Sequence, residues 1–179
     1  SCNYYFYTVS DRMGIDKLTK WADTFGLSSK TGIELPGEVT SHVANHQVLY
    51  DNTKEINGGQ RNSKPYLVRL SVEKQLKKYG LMRGVTYTDE QVERCATRIV
   101  QLVGSSTNIG PQIRSIMREE LDIPESTSYA RRWHQEINSI LYEITWNRVQ
   151  TILTGIGQSV TAVTPIAVAR YISAIANGG

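Results

Sequence analysis

A chain of 179 residues, 40% hydrophobic and 21% charged, can bury a core and is not disordered by composition. No apolar run approaches the roughly 18–20 residues that a membrane helix needs, and mean hydropathy is −0.34, so nothing in this sequence reads as a bilayer span. A net charge of +3 on dispersed basic residues gives no case for nucleic acid, and two cysteines, Cys2 and Cys95, are too few for a disulfide framework.

The first element in chain order runs from Phe6 to Phe25. Val9, Met13, Leu18, Trp21, Ala22 and Phe25 recur at helical spacing, with a break near Gly14, a restart at Asp16, and Gly26 as the C′ residue. Thr31-Gly32-Ile33-Glu34-Leu35-Pro36-Gly37-Glu38 follows, an apolar pair bounded by Gly and Pro that reads as a short extended piece and turn. Residues 39–63 lack periodicity and read as loop. Pro65 suits the first turn of a helix carrying Leu67, Leu70, Leu76 and Tyr79, closed before Gly80.

Thr88 and Gln91 make a capping box ahead of Val92, Cys95, Ala96, Ile99, Leu102 and Val103. Pro111 opens a helix through Ile113, Ile116, Met117 and Leu121. Ser126 or Ser128 caps a longer one with Tyr129, Trp133, Ile137, Ile140, Leu141 and Ile144 on one side, while Arg131, Arg132 and His134 read as a solvated basic face. Gly155-Ile156-Gly157 is a break that lets two helices approach. Thr164-Pro165 is then an N-cap and N1 pair for a last helix through Ile166, Ala169, Ile172 and Ile175. The chain reads as mostly α.

Three stretches, in order, carry a resemblance. They are Ser1-Cys2-Asn3 with Tyr5-Phe6-Tyr7, Met13-Gly14-Ile15-Asp16, Trp21 and Phe25-Gly26; then Thr31 to Glu38; then Trp146, Thr151-Ile152 and Gly155-Ile156-Gly157-Gln158, running on through Thr164-Pro165-Ile166 to Ala174-Ile175-Ala176-Asn177-Gly178-Gly179. Together they resemble the class B penicillin-binding proteins, specifically the elongation type. In that family the first is the S-x-N active-site motif, the second a T-G-I-D/E-L-P-G-E turn, and the third a W-x-x-G-D-T-I-x-x-x-I-G-Q-G stretch. Val149-Gln150 stands where the family pattern has Gly-Asp, and Ser159 where it has Gly. The interval between Glu38 and Trp146 is far longer than the family pattern.

The resemblance implies a serine acyltransferase built on S-x-x-K, S-x-N and K-T-G motifs. The S-x-N roles fall on Ser1 and Asn3. A Ser hydroxyl is both donor and acceptor and can relay a proton between the lysine and the leaving amine, while the Asn amide can hold the substrate's own amide. Without the resemblance, Ser1 and Asn3 would read as an ordinary helix-capping pair.

Lys30-Thr31-Gly32 and Ser71-Val72-Glu73-Lys74 mimic the other two motifs but stand in the wrong order, and both are read as decoys. The sequence starts inside a motif and stops at a helix C-cap, so it is read as an excerpt: the nucleophile is expected before residue 1 and the true K-T-G after residue 179. This stretch is not expected to acylate by itself. Cys2, His42, His46 and Asp11 include zinc-ligand residue types, but no C-x-x-C or H-E-x-x-H spacing joins them, so no metal and no cofactor is assigned.

The expected fold is therefore a mostly α fragment of the α/β serine transpeptidase / β-lactamase-like fold, with a helical insertion. Residues 1–38 and 144–179 belong to the transpeptidase domain and 39–143 to the insertion. The expected function is peptidoglycan D,D-transpeptidation during cell elongation, at the extracytoplasmic face of the cell membrane. Stem peptides and β-lactams are the expected ligands, and elongation-machinery membrane proteins the expected partners. The alternatives are a helical partner-binding module and a β-lactam sensor on the same fold.

Overall fold

The computed structural model describes residues 2–34, 36–56, 63–105 and 108–178, and the side chain of Cys2 is not among its described parts. Its elements are α1 (Cys2–Met13), α2 (Ile15–Thr24), α3 (His46–Leu49), α4 (Lys64–Met82), α5 (Asp89–Gln101), α6 (Gly110–Leu121), α7 (Ser128–Leu141) with a 3₁₀ turn at Tyr142–Ile144, α8 (Arg148–Thr154) and α9 (Pro165–Ala176). Among the described residues there is no strand, only an antiparallel bridge between His42 and Ala162. The chain divides into two compact units, residues 1–49 with 146–179, and residues 50–145.

The second unit is a four-helix bundle in which α4 packs on α5, α5 on α6, α6 on α7 and α7 back on α4. Its core is a continuous cluster of side chains between Tyr50 and Ile144, with Leu76, Tyr79, Ile99, Ile113, Met117, Ile137 and Leu141 among its largest fully buried members. Tyr79 stacks on Trp133 at 4.3 Å between ring centroids. Its hydroxyl donates to the Glu136 carboxylate at 2.8 Å, so the polar atom that Tyr79 carries into the core is satisfied. Cys95 is fully buried on α5, and burial pushes its thiol pKa up to about 12, leaving it an inert core residue.

The local signals decide most of the boundaries. Thr88 Oγ1 accepts from Gln91 N–H at 3.2 Å and Gln91 Oε1 accepts from Thr88 N–H at 3.0 Å, closing the expected capping box. The cap of α7 is Thr127, whose hydroxyl accepts from Ala130 N–H at 3.3 Å, rather than Ser126 or Ser128. Three adjacent hydroxyl residues offered equal chemistry, and the register of Ala130 and Trp133 against the core selects the middle one. The loop expected over 39–63 contains one helical turn, α3, whose Val48 N–H is capped by Asn45 Oδ1 at 2.8 Å.

Two expectations for α4 are corrected. Its buried face is Val68, Val72, Leu76 and Tyr79, whereas Leu67 and Leu70 point outward. The helix also continues through Gly80 to Met82. Gly80 is there for a close approach, not for a stop: a Cβ on it would sit 2.6 Å from the Val85 carbonyl oxygen and 2.8 Å from the Tyr87 ring. Likewise His134, read as part of a solvated face, is half-buried, with Nδ1 3.1 Å from Arg114 Nη1.

The first unit has a thinner core, with Ile15, Ala22, Ala44, Leu49 and Ala167 buried. Hydrogen bonds tie its two chain segments together. His42 and Ala162 exchange backbone bonds of 2.8 and 2.9 Å, Ala44 N–H donates to Thr161 Oγ1 at 3.0 Å, and Thr164 N–H donates to Ser41 Oγ at 2.9 Å. The expected apolar stripe of α9 is not its packed face, since Ile166, Ile172 and Ile175 are exposed. The helix is held instead through Ala167, Arg170 and Tyr171.

Candidate active site

Ser1 lies outside the described residues. Asn3 is in the first turn of α1 and exposed, beside the exposed rings of Tyr4, Tyr5 and Phe6.

Helix α1 is held by α8, which belongs to the third of the sequence stretches singled out above. The Arg148 guanidinium grips the Asp11 carboxylate with both Nε, at 2.5 Å from Oδ1, and Nη2. That contact holds the Asp11 pKa below the ordinary carboxylate value. One residue earlier, buried Ser10 donates to Phe6 C=O at 2.7 Å and lies flat against Gly155. A Cβ at Gly155 would overlap both Ser10 Oγ and Ser10 Cβ, so the glycine is what admits the two helices to contact. Gly155→Ala is therefore expected to destabilise the protein by about 1–3 kcal/mol, the usual scale of overpacking. Ser10→Gly in the same chain is expected to restore most of that loss. A thermal melt of the double variant no better than that of Gly155→Ala alone would refute this contact.

The two departures from the family pattern meet in space. Ser159 has φ 81°, in the left-handed region where the family pattern has Gly, and its hydroxyl donates to Gln150 Oε1 at 2.7 Å. A non-glycine residue there costs about 1–2 kcal/mol in backbone strain, and the Gln150 acceptor offsets part of it. At the other end of α8, Trp146 Nε1 donates to Thr151 Oγ1 at 3.0 Å, and the Trp146 ring lies 5.2 Å from that of His46. The chain thus leaves the first unit after Leu49 and re-enters it at Trp146 through neighbouring points.

The turn from Thr31 to Glu38 closes on its own glutamate. The Glu38 carboxylate accepts from Thr31 N–H at 2.5 Å, Thr31 Oγ1 at 2.7 Å and Gly32 N–H at 3.2 Å. These bonds, the Thr31 amide first among them, hold its pKa below 4.5. Because the folded value is depressed, the turn's contribution is fully present above the unfolded pKa and is lost as pH falls through the folded one. The Thr31 and Gly32 amide protons are expected to titrate together below pH 4.5, and Glu38→Gln is expected to abolish that titration. Amide shifts that stay flat down to pH 2 would contradict this.

This closure accounts for Thr31 and Gly32 of the K-T-G decoy, and the Lys30 carbonyl accepts from Arg170 Nη1 at 3.0 Å. Arg170 also donates to the Gly26 and Ser29 carbonyls, joining α9 to the stretch just before the turn, a role no sequence pattern announced. In the other decoy, Ser71 Oγ donates to Leu67 C=O at 3.0 Å on the exposed side of α4, in the second unit. Of the metal-ligand types, the Asp11 carboxylate is engaged by Arg148 and the His46 ring lies against Trp146, while His42 is placed by its backbone in the bridge to Ala162. Among the described residues no group of three or more His, Cys, Asp or Glu is placed to hold a metal ion.

All three resembling stretches lie in the first unit, where α1 meets α8 and Arg170 of α9 reaches the carbonyls before the turn. The peptidoglycan D,D-transpeptidase MrdA of Acinetobacter baumannii is 47% identical over 38 residues, 21% of this chain and 6% of that protein. The peptidoglycan D,D-transpeptidase MrdA of Haemophilus influenzae is 42% identical over 43 residues, 24% of this chain and 7% of that protein. The matched stretches therefore span only a small part of these relatives. No solved structure matches the chain significantly. The family model of the penicillin binding protein transpeptidase domain matches residues 1–179, and the chain belongs to that family.

Proposed function

We propose that this chain is part of a peptidoglycan D,D-transpeptidase of the elongation type, working through a serine acyl-enzyme. The observation that carries the reading is the assembly of the three resembling stretches into one unit, with Asn3 exposed at the start of α1. In the reaction, the serine of an S-x-x-K motif outside 1–179 forms an ester with the carbonyl carbon of a D-Ala-D-Ala peptide bond. Its proton passes to the neighbouring lysine, the C–N bond breaks, and the departing D-alanine takes a proton as amine. A second stem peptide's amine then displaces the serine from the ester. Ser1 relays the proton between lysine and leaving amine, and Asn3 holds the substrate amide. β-lactams acylate the same serine.

The α/β fold of the family, with its sheet supplied by residues outside this chain, belongs to the same proposal, as does a location at the extracytoplasmic face of the cell membrane. Among the described residues no helix is long and apolar enough to cross a membrane, so an anchor would come from elsewhere in the protein. Elongation-machinery membrane proteins are the proposed partners of the intact enzyme. The four-helix unit is proposed as a helical insertion into the transpeptidase domain, supported by a core whose described members run from Tyr50 to Ile144.

The test is labelling of the intact protein by fluorescent penicillin. Labelling of a serine upstream of residue 1 is expected, unchanged within a factor of two in Lys30→Ala and Ser71→Ala. An intact protein that takes no label overturns the acyl-enzyme reading, and loss of label in either variant overturns the motif order.

A further inference from the structure

Among the described residues, α4 is the bundle helix that is apolar on two opposite sides. Opposite its buried face, it exposes Leu67, Leu70, Leu81 (73%) and Met82 (61%), whereas α5, α6 and α7 expose no large hydrophobic side chain. With 3.6 residues per turn, Leu67, Lys74, Lys78 and Leu81 fall within an arc of about 60°, in a strip about 21 Å long, flanked by Leu70 and Met82. An ordinary surface helix carries one apolar stripe and a polar opposite face, and a helix apolar on both sides has a second surface to cover.

Charge says what would cover it. On the other bundle helices, Arg94 and Arg98 pair with Glu119 and Glu120, Arg118 pairs with Glu125, and Arg132 pairs with Glu136. Lys77, at the edge of the strip, pairs with Asp89. Lys74 and Lys78, at the centre of the strip, form no ion pair among the described residues. The strip therefore reads apolar, cationic, cationic, apolar along one line of a single helix.

We propose that this outer face of α4 docks an acidic amphipathic helix of a partner protein. Apolar side chains of that helix cover Leu67 with Leu70 at one end and Leu81 with Met82 at the other, and two carboxylates meet Lys74 and Lys78 between them. A strip one helix wide matches a second helix laid along it. A bilayer surface calls for a broad, unbroken apolar arc with cations at its margins, and here the cations interrupt the centre. The assignment stands on α4 alone and is independent of the transpeptidase chemistry.

The test uses the whole 179-residue chain. The probe is a synthetic amphipathic peptide of about five helical turns, with leucines at both ends of one face and two glutamates between them. A shuffled peptide of the same composition, a lysine-for-glutamate peptide and phosphatidylglycerol vesicles complete the set. The glutamate peptide is expected to shift the amide resonances of Leu67 to Met82. Lys74→Glu with Lys78→Glu should weaken it at least tenfold and reverse the preference toward the lysine peptide. Leu81→Ser with Met82→Ser should weaken it similarly. All four positions are exposed, so the melting temperature should hold in both double variants. The proposal is overturned by equal binding of the shuffled peptide, by resonance shifts confined to other helices, by charge reversal without effect, or by vesicles binding the chain where the peptide does not.

Discussion

Ser1→Ala in the intact protein is expected to slow acylation by benzylpenicillin by about 10²–10⁴-fold, the usual worth of a positioned proton-transfer group. A serine hydroxyl can take a proton from the lysine side and deliver it to the leaving nitrogen without changing its own charge, and alanine can do neither. Asn3→Ala should act differently. Its amide makes contacts present before and during bond breaking, so its loss should appear mainly as weaker binding of substrate and β-lactam, with a smaller change in the limiting acylation rate. Stopped-flow acylation over a range of penicillin concentrations separates the two. A limiting rate for Ser1→Ala within threefold of the parent protein would remove Ser1 from the proton path.

Much of the helical framework was legible because its signals are local. Thr88 with Gln91 and Thr164 fix a helix start through bonds made within three residues, Pro65, Pro111 and Pro165 through a ring-fixed φ, and all are found at those starts. Gly155 was legible as a point of helix approach, but its contact was not. Ser10 lies far from it in sequence, and a serine in a helix carries no mark of what it packs against. The Asp11–Arg148 pair and the carbonyls gathered by Arg170 were illegible for the same reason.

The helix faces were the other weak point. On α4 two apolar stripes coexist, and Leu67 and Leu70 satisfy helical spacing as well as Val68 and Val72 do. On α9, isoleucines at 166, 172 and 175 outweigh Ala167 in hydrophobicity, yet the small side chain is the one that admits close packing. Periodicity finds a helix; it does not choose between two apolar faces. Of the candidate site, Ser1 and Asn3 were named from motif order alone. Gly155 apart, the support that α8 gives to α1 came from residues no motif contains, Ser10, Asp11 and Arg148.

Residues 50–145, expressed alone, are expected to form a cooperatively unfolding helical bundle. The described members of the core cluster run from Tyr50 to Ile144, and each bundle helix packs on two neighbours of the same set. Domains of this size can fold independently, with total stabilities of order 5–15 kcal/mol. If the unit is autonomous, a core truncation must cost the same in isolation and in the whole chain. Ile99→Ala, at a fully buried position facing the core from α5, is expected to destabilise both by about 2–5 kcal/mol. The converse construction removes 50–145 from the intact protein. His46 and Trp146 flank the excision with rings 5.2 Å apart, so a six-residue Gly/Ser linker, spanning up to about 20 Å when extended, is ample to join Leu49 to Trp146. That protein is expected to fold and to be labelled by penicillin at a rate within threefold of the parent. An isolated 50–145 segment without cooperative unfolding, together with a linker variant that neither folds nor labels, would place the bundle inside the catalytic core and end its reading as an insertion.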